Sequence, residues 1–448
     1  MPTARQTALL RSLQEHTFDY FRYERNPANG LIKDNTREGS PCSIAAVGLA
    51  LACYPVAVEH GWMARTEAAE AVRTTLRFFW TSEQSQDPDA TGYKGFYYHF
   101  LDMETGRRAF RSELSTIDTT FLLAGGLVAA QYFDGNDAAE ADVRTLADAL
   151  YRRADWQWAL NEEGAEDTDK GLAVSHGWKP ERGFLRARWQ GYNEALLLYA
   201  LALGSPTYPI PEASYAAWAT TYKWKTIYGY PYLYAGPLFI HQLSHVWIDF
   251  RGLQDAFMRT KGIDYFENSR RATYVQREYA IRNPCGYSEY GPNTWGITAS
   301  AGPGRHTLWM DGRSREFYDY RARGVPWGLD DGTLSPWAVV ASLPFAPEIV
   351  LPALVHLDET YPEMTSEYGF KCSFNPTFPE DTNGAHGWVS QGYYGLDQGP
   401  IVLMIENHQT GKPWQWMQRC PYLSTGLRRA GFTGGWLDSA PSDSEGSS

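Results

Sequence analysis

The sequence predicts an all-α protein, an (α/α)6 barrel (toroid) in which six inner helices are wrapped by six outer ones. Three observations carry that prediction. Helical segments that are apolar on every side alternate with segments that carry a single apolar stripe. Two concentric layers require this, because an inner helix is covered all round and an outer helix on one face. About six such pairs can be counted along the 448 residues. Long loops precede several of the apolar helices, and long loops in a compact domain are usually functional.

The first one-sided helix covers 4–23, with Leu9, Leu10, Leu13, Phe18 and Phe21 as its stripe. A loop broken by Asn26-Pro27 and Asn29-Gly30 leads to a small-residue apolar helix at 43–58, and a charged helix follows from about 65 to 80. Turn signals at Asp87-Pro88 and the aromatic stretch Gly95-Phe-Tyr-Tyr-His-Phe precede an apolar helix at 115–133, which is paired with a charged one at 137–158. The helix at 191–203 places Leu197, Leu198, Leu201, Ala202 and Leu203 at helical spacing, and Gly204 and Pro206 stop it. A more polar helix at 211–226, a mixed one at 237–258 and a charged one at 264–281 come next. A Gly/Pro-rich insertion spans 283–334, followed by helices at 336–343 and 347–359 and a last apolar helix at 399–407. The pairs share no sequence identity and are unevenly spaced, so this is not a repeat protein. Residues 1–437 are expected to form one catalytic domain, and the small, polar segment 438–448 a disordered tail.

Composition narrows the partners. A formal charge of −12 argues against nucleic acid and anionic membranes, both of which reward basic patches. Aromatic residues make up 15% of the chain, enough for ligand stacking as well as for the core. Cys42, Cys53, Cys285, Cys372 and Cys420 are widely spaced with no C-x-x-C pair, which suits neither a zinc knuckle nor a disulfide framework. The N-terminal residues lack the apolar core of a signal peptide, which fits a cytoplasmic protein or a periplasmic one whose signal has been removed. The longest apolar run, Ser43 to Val58, is short for a membrane span and contains Pro55, so a buried helix is expected.

Chemistry is concentrated where apolar helices begin. Ser115-Thr116-Ile117-Asp118 has the pattern of a capping box, and Asn193-Glu194 opens the next apolar helix. Asp330 and Asp331 precede a third, with Ser335 as N-cap and Pro336 at the first helical position. Asp397 stands before Gly399-Pro400 as a cap for the fourth. Each acid alone has a structural reason to be there. In a barrel of helix hairpins, however, the inner helices run parallel and all their N-termini open on one end. Four carboxylates would then converge on one cavity, and mutual repulsion would raise the pKa of at least one of them. Tyr192, Trp295, Trp327, Trp388, Tyr393 and Tyr394 fall in the same loops, and flat aromatic faces beside carboxylates suit a polysaccharide groove.

Three further patterns bear on metals, ion pairs and cofactors. His241 and His245 are spaced as in a zinc helix, but no Glu follows the first His and no third ligand is evident, so no metal is expected. Asp249 and Arg251 form an internal ion pair or a hydroxyl clamp. Gly302 and Gly304 flank Pro303 and do not make a phosphate loop, so no cofactor is expected.

Taken in order, Ser43-Ile-Ala-Ala-Val-Gly, Gly95-Phe-Tyr-Tyr-His-Phe, Ser115-Thr-Ile-Asp-Thr, Gly191-Tyr-Asn-Glu-Ala, Pro237-Leu-Phe-Ile-His-Gln-Leu-Ser-His, Trp247-Ile-Asp-Phe-Arg-Gly, Trp295-Gly-Ile-Thr-Ala-Ser, Asp331-Gly-Thr and Leu396-Asp-Gln-Gly-Pro resemble the bacterial glucoamylase-like family, glycoside hydrolase family 144 and its relatives. The blocks extend from about residue 8 to 410. The resemblance implies the same barrel and action on β-linked glucans, β-1,2-glucan or its oligosaccharides foremost. It implies Glu194 as general acid, with Asp397, then Asp118, then Glu289 as candidates for the base. Tyr192, Arg251, Trp295, Asp331, Trp327, Trp388, Tyr393 and His241 are the candidate substrate-binding residues. Where some relatives carry Glu in the Ser-Thr-Ile-Asp-Thr block, this chain has the shorter Asp118, which leaves room for a water. The expected reaction is hydrolysis with inversion. The alternatives are transglycosylation on β-1,2-glucan, a polysaccharide lyase, which the acidic cavity disfavours, and sugar binding without turnover.

Overall fold

The computed structural model describes residues 2–161, 171–379 and 387–439. Its helices are α1 (Ala4–Tyr23), α2 (Ile44–Glu59), α3 (Arg65–Thr81), α4 (Thr116–Tyr132), α5 (Ala138–Arg153), α6 (Trp156–Leu160), α7 (Leu196–Gly204), α8 (Ala213–Ala219), α9 (Ala256–Lys261), α10 (Tyr265–Arg282), α11 (Pro336–Ala341), α12 (Pro347–Thr360), α13 (Gly395–Gln409), α14 (Lys412–Gln418) and α15 (Pro421–Arg429). Two layers follow from burial. In α2 every residue from Ile44 to Ala57 is buried, and all of α7 and α11 is. By contrast α1 buries one stripe including Leu10, Leu13, Phe18 and Phe21.

The inner layer closes into a ring, giving an (α/α)6 toroid. Backbones of α2 and α4 touch: a Cβ on Gly125 would lie 1.9 Å from the Gly48 carbonyl oxygen, so only glycine permits this crossing. Helix α7 follows α4, and the Leu197 N–H donates to Ser244 Oγ at 3.2 Å in the next inner element. That element is not the 237–258 helix expected from sequence but two 3-10 turns, Leu238–His241 and Leu243–Val246, interrupted at Gln242. The Gln242 side chain explains the break, because its amide donates to Ala338 O and Ser342 Oγ of the α11 segment at 2.6 and 2.8 Å. Helix α11 packs on α13, and α13 returns to α2 through His60 Nε2 and Glu406 Oε2, 2.7 Å apart. That last pair joins the C-terminal ends of α2 and α13, so these two helices run parallel.

Other boundaries moved for local reasons. The 211–226 helix stops at Ala219, and Trp224–Ile227 pairs with Tyr230–Leu233 as a hairpin whose turn residues Tyr228 and Gly229 both have positive φ. The charged 137–158 segment divides into α5 and α6, with Asp155 capping the second through the Trp158 N–H. Of the expected tail, Asp438 ends a 3-10 turn, Gly435–Asp438, and residues 440–448 lie outside the described residues. Among the described residues, no helix is long and apolar enough to cross a membrane.

Candidate active site

Short strands set the entry to the inner helices. Cys42–Ser43 pairs with Phe100–Leu101, and Leu114–Ser115 pairs with Phe96–Tyr98. Ser43 and Ser115 end these strands and cap α2 and α4 by accepting from Ala46 N and Asp118 N. His99 lies between the two strand partners and turns its ring toward α4, with Nε2 3.6 Å from Asp118 Oδ2 and Nδ1 3.0 Å from Glu113 Oε1. Burial opposes a charged imidazole, but Asp118, Glu113 and Asp34 outweigh it and hold the His99 pKa up at about 9. The site therefore contains an imidazolium at neutral pH. In return, its hydrogen bond to Glu113 pulls that carboxyl down to about 2.

Glu194 does not occupy the first helical turn expected of it. The helix begins at Leu196, and Glu194 lies in the turn before it. That turn is pinned from outside. Asn193 Oδ1 accepts from Ala195 N at 3.0 Å and from Trp218 Nε1 at 3.3 Å, while Ser244 Oγ donates to the Glu194 carbonyl at 2.9 Å. Part of the Glu194 surface stays open, yet enough protein surrounds its carboxyl that desolvation dominates. With a smaller push from Asp118, it raises the pKa to about 7. A backbone hydrogen bond at Glu194 opposes the rise and is outweighed.

Asp397 is in the first turn of α13 and not at its cap, which is Tyr394. It is buried with Oδ2 unpartnered by any side chain or backbone group. Burial drives its pKa to about 8, opposed by a hydrogen bond from the Cys372 thiol and reinforced by Asp34. Asp34 is the link between the two halves of the site. Its carbonyl accepts from Gly395 N at 2.9 Å, Asn35 Nδ2 donates to its carboxylate at 2.8 Å, and its own pKa is raised by burial, with Asp118 adding to the rise. Four carboxyls from loops and helix starts far apart in sequence thus share one electrostatic neighbourhood: Asp34, Asp118, Glu194 and Asp397. Tyr320 and Tyr394 border Asp397, which adds to the rise that burial produces in both phenols, and their rings lie 6.3 Å apart. Arg37 lies over Tyr394 at 5.9 Å.

Other sequence candidates are located elsewhere. Asp331 is fully buried in a bidentate pair with buried Arg323, at 2.7 and 2.8 Å, and accepts from Tyr318 N and Thr333 N, so its oxygens are committed to the fold. Arg251 pairs with Asp249 at 2.6 Å and lies 4.8 Å over Trp414, past the C-terminal end of α13 and so at the opposite end of that helix from Asp397. The ion pair, one of the two roles expected of this pair of residues, is present. Trp295 is buried in the core and Tyr393 is buried against Tyr368. His241 is buried beside the Ala235 carbonyl, and burial lowers its pKa to about 4, which makes it a neutral core imidazole. Tyr192 lies two residues before Glu194 in sequence and packs with Tyr265 at 5.8 Å and His241 at 5.1 Å. Trp388 is half-buried in a strand with Asn375. Trp327 is 62% exposed against Tyr234, and Glu289 is exposed with φ 64°. The sequence reading missed Asp34, His99, Glu113, Tyr320 and Cys372. The Gly95-Phe-Tyr-Tyr-His-Phe block already contained the histidine, but nothing local ties it to Asp118.

Comparison with known proteins adds a second line. A family model, Glycoamylase, described as "Putative glucoamylase", matches residues 186–421, a span that includes Glu194 and Asp397. An exo-β-1,2-glucooligosaccharide sophorohydrolase (non-reducing end) from Parabacteroides distasonis is 26% identical over 455 positions, covering 94% of this chain. The chain spans only 57% of that protein's length. Among solved structures, a "putative glucoamylase" from Bacteroides uniformis superposes with a TM-score of 0.83 at 30% identity, covering 98% of this chain and all of that one. An endo-β-1,2-glucanase from Chitinophaga pinensis, in complex with sophorotriose and glucose, superposes with a TM-score of 0.82 at 26% identity, covering 96% of this chain and 98% of the other.

Proposed function

We propose, because this chain belongs to the Glycoamylase family, that it is a glycoside hydrolase acting on β-1,2-linked glucan or its oligosaccharides. The β-1,2 linkage comes from the names of its relatives, a sophorohydrolase and an endo-β-1,2-glucanase. The observation that carries the reading is Glu194, a carboxyl with a pKa of about 7 at the rim of the acid cluster. A group poised there holds a proton at neutral pH and can still give it up.

Glu194 is assigned as general acid, donating its proton to the glycosidic oxygen as the bond to the anomeric carbon breaks. Asp397 is assigned as general base, taking a proton from the attacking water through Oδ2, a buried oxygen with no hydrogen-bond partner among the described residues. With values of about 7 and 8, the pair holds one proton between those pH values, mostly on Asp397, and the competent form is the minority in which Glu194 carries it and Asp397 is ionised. Water attack on the face opposite the leaving group gives inversion. A second reading, favoured by the His99 imidazolium 3.6 Å from Asp118, assigns the base to Asp118. Tyr320 and Tyr394, which border Asp397, and Tyr192, two residues before Glu194, supply ring faces. Residues 1–437 acting as one catalytic domain is part of the same proposal.

Incubation with β-1,2-, β-1,3- and β-1,4-glucans, with product sizing and anomer determination by NMR, tests the reading. Saccharide release from β-1,2-glucan alone, with the α-anomer formed first, is expected. No release from any glucan, or an unsaturated product absorbing in the ultraviolet, sinks it.

A further inference from the structure

The loop between Phe100–Leu101 and Leu114–Ser115 holds a conformation its own side chains disfavour. Phe110 and Arg111 both adopt left-handed backbone, with φ of 54° and 50°. They sit at the centre of a tight turn closed by the Ser112 N–H donating to Ala109 O at 3.0 Å. Two successive left-handed positions normally call for Gly, Asn or Asp, because a Cβ crowds the following carbonyl. Such strain persists only where the surroundings over-determine it. Here they do. The Arg108 guanidinium donates to Arg111 O at 2.9 Å and to Ser112 O at 2.6 Å, pairs with Glu181 at 2.7 Å and lies 4.6 Å over Tyr98. Lys179 Nζ donates to Arg111 O at 2.8 Å from the neighbouring strand.

What this rigid turn displays is an apolar ring that contributes little to folding. Phe110 is 74% exposed. Its ring is 6.1 Å from that of Phe100, which stacks on His99 at 4.0 Å with an interplanar angle of 12°, and His99 reaches Asp118 at 3.6 Å. Phe100 and His99 are themselves partly exposed, so a chain of ring contacts leads from the acid cluster out to Phe110. Burial of apolar surface does not account for a strained, outward aromatic, whereas the C–H face of a pyranose does, since it gains contact area on a flat, immobile ring.

We infer that Phe110 is a sugar-stacking platform that binds a glucosyl unit of the substrate remote from the bond being cleaved, and so sets a preference for longer chains. This rests on the glucan-hydrolase reading above. The role is positioning and specificity, not catalysis.

The test compares wild type with Phe110→Ala, Phe110→Asn and Phe110→Trp on β-1,2-glucooligosaccharides of increasing length, by steady-state kinetics, calorimetric titration and thermal unfolding. Asn keeps the turn's backbone preference while removing the ring. The expected result for Ala and Asn is a KM and Kd raised roughly 5- to 10-fold for the longest substrates and little changed for the shortest cleaved one, as the loss of one buried ring face implies. The kcat stays within about twofold of wild type, Trp restores affinity, and the Asn variant unfolds no earlier than wild type. Unchanged affinity in both Ala and Asn variants overturns the proposal, as does a fall in stability that tracks the loss of affinity, or a wild type that binds no oligosaccharide. Binding without turnover by the wild type would sink the hydrolase reading alone, and the titration would still decide the platform.

Discussion

Replacing Glu194 by Gln separates chemistry from folding in one protein. The carboxyl rises from an ordinary 4.5 to about 7 on folding, mainly through desolvation. Its proton is therefore bound more tightly in the folded state. Its stabilising contribution is complete below an ordinary carboxyl pKa and is lost as pH climbs through about 7. At about 1.4 kcal/mol per pH unit, the ionised side chain costs the fold at most about 3 kcal/mol above that pH, and less in practice because Glu194 keeps some contact with solvent. Gln carries no such penalty. Denaturant unfolding should give equal stabilities for wild type and variant near about pH 4, and a variant more stable by about 1–3 kcal/mol near about pH 9. Turnover of β-1,2-glucan should fall by roughly 10²–10⁴, the usual worth of a positioned general acid. Activity within about tenfold of wild type would remove Glu194 from the mechanism. Equal stabilities at both pH values would show a carboxyl already ionised in the fold, and the acid role would fail with it.

Three other outcomes are expected. If Asp397 is the base, kcat/KM is bell-shaped, rising toward about pH 7 and falling above about pH 8, because only the minority one-proton form with Glu194 protonated and Asp397 ionised is competent, and Asp397→Asn abolishes it. Near-full wild-type activity at about pH 5, together with loss in Asp118→Asn, would move the base to Asp118. Asp331→Ala strands the buried Arg323 guanidinium and should cost about 3–5 kcal/mol by chemical denaturation, whereas weakened glycan binding at unchanged stability would contradict the structural role given to it. Gly125→Ala drives a methyl to within 1.9 Å of the Gly48 carbonyl and should cost about 1–3 kcal/mol or more, with a drop in thermal midpoint as the readout.

The two-layer architecture was legible because burial writes itself into local composition. Leu196 to Leu203 has no polar face, and a helix without a polar face has to be interior. The inner element at 238–246 was less legible, because Gln242 breaks the helix to satisfy carbonyl and hydroxyl partners almost 100 residues later in the chain. The acids divide in the same way. Glu194, Asp118 and Asp397 were found from their places before apolar helices. Asp331, chosen by the same rule, turned out to be held by Arg323, a partner the helix-start rule does not consider. Arg251 was half-read, since its own segment supplied Asp249, but which end of the toroid it faced was not written there.

The amino-acid sequence by itself determined the alternation of buried and one-sided helices and the presence of carboxyls at the starts of inner helices, since each depends on residues within a few turns of one another. Only the tertiary structure decided which acids meet. Asp34 joins Asp397 to Asp118 across more than two hundred residues of chain, and His99 brings a positive charge beside Asp118 from between two strands. The reason is that desolvation and charge coupling depend on what surrounds a carboxyl in space, and no local pattern records a neighbour that the chain delivers from far away.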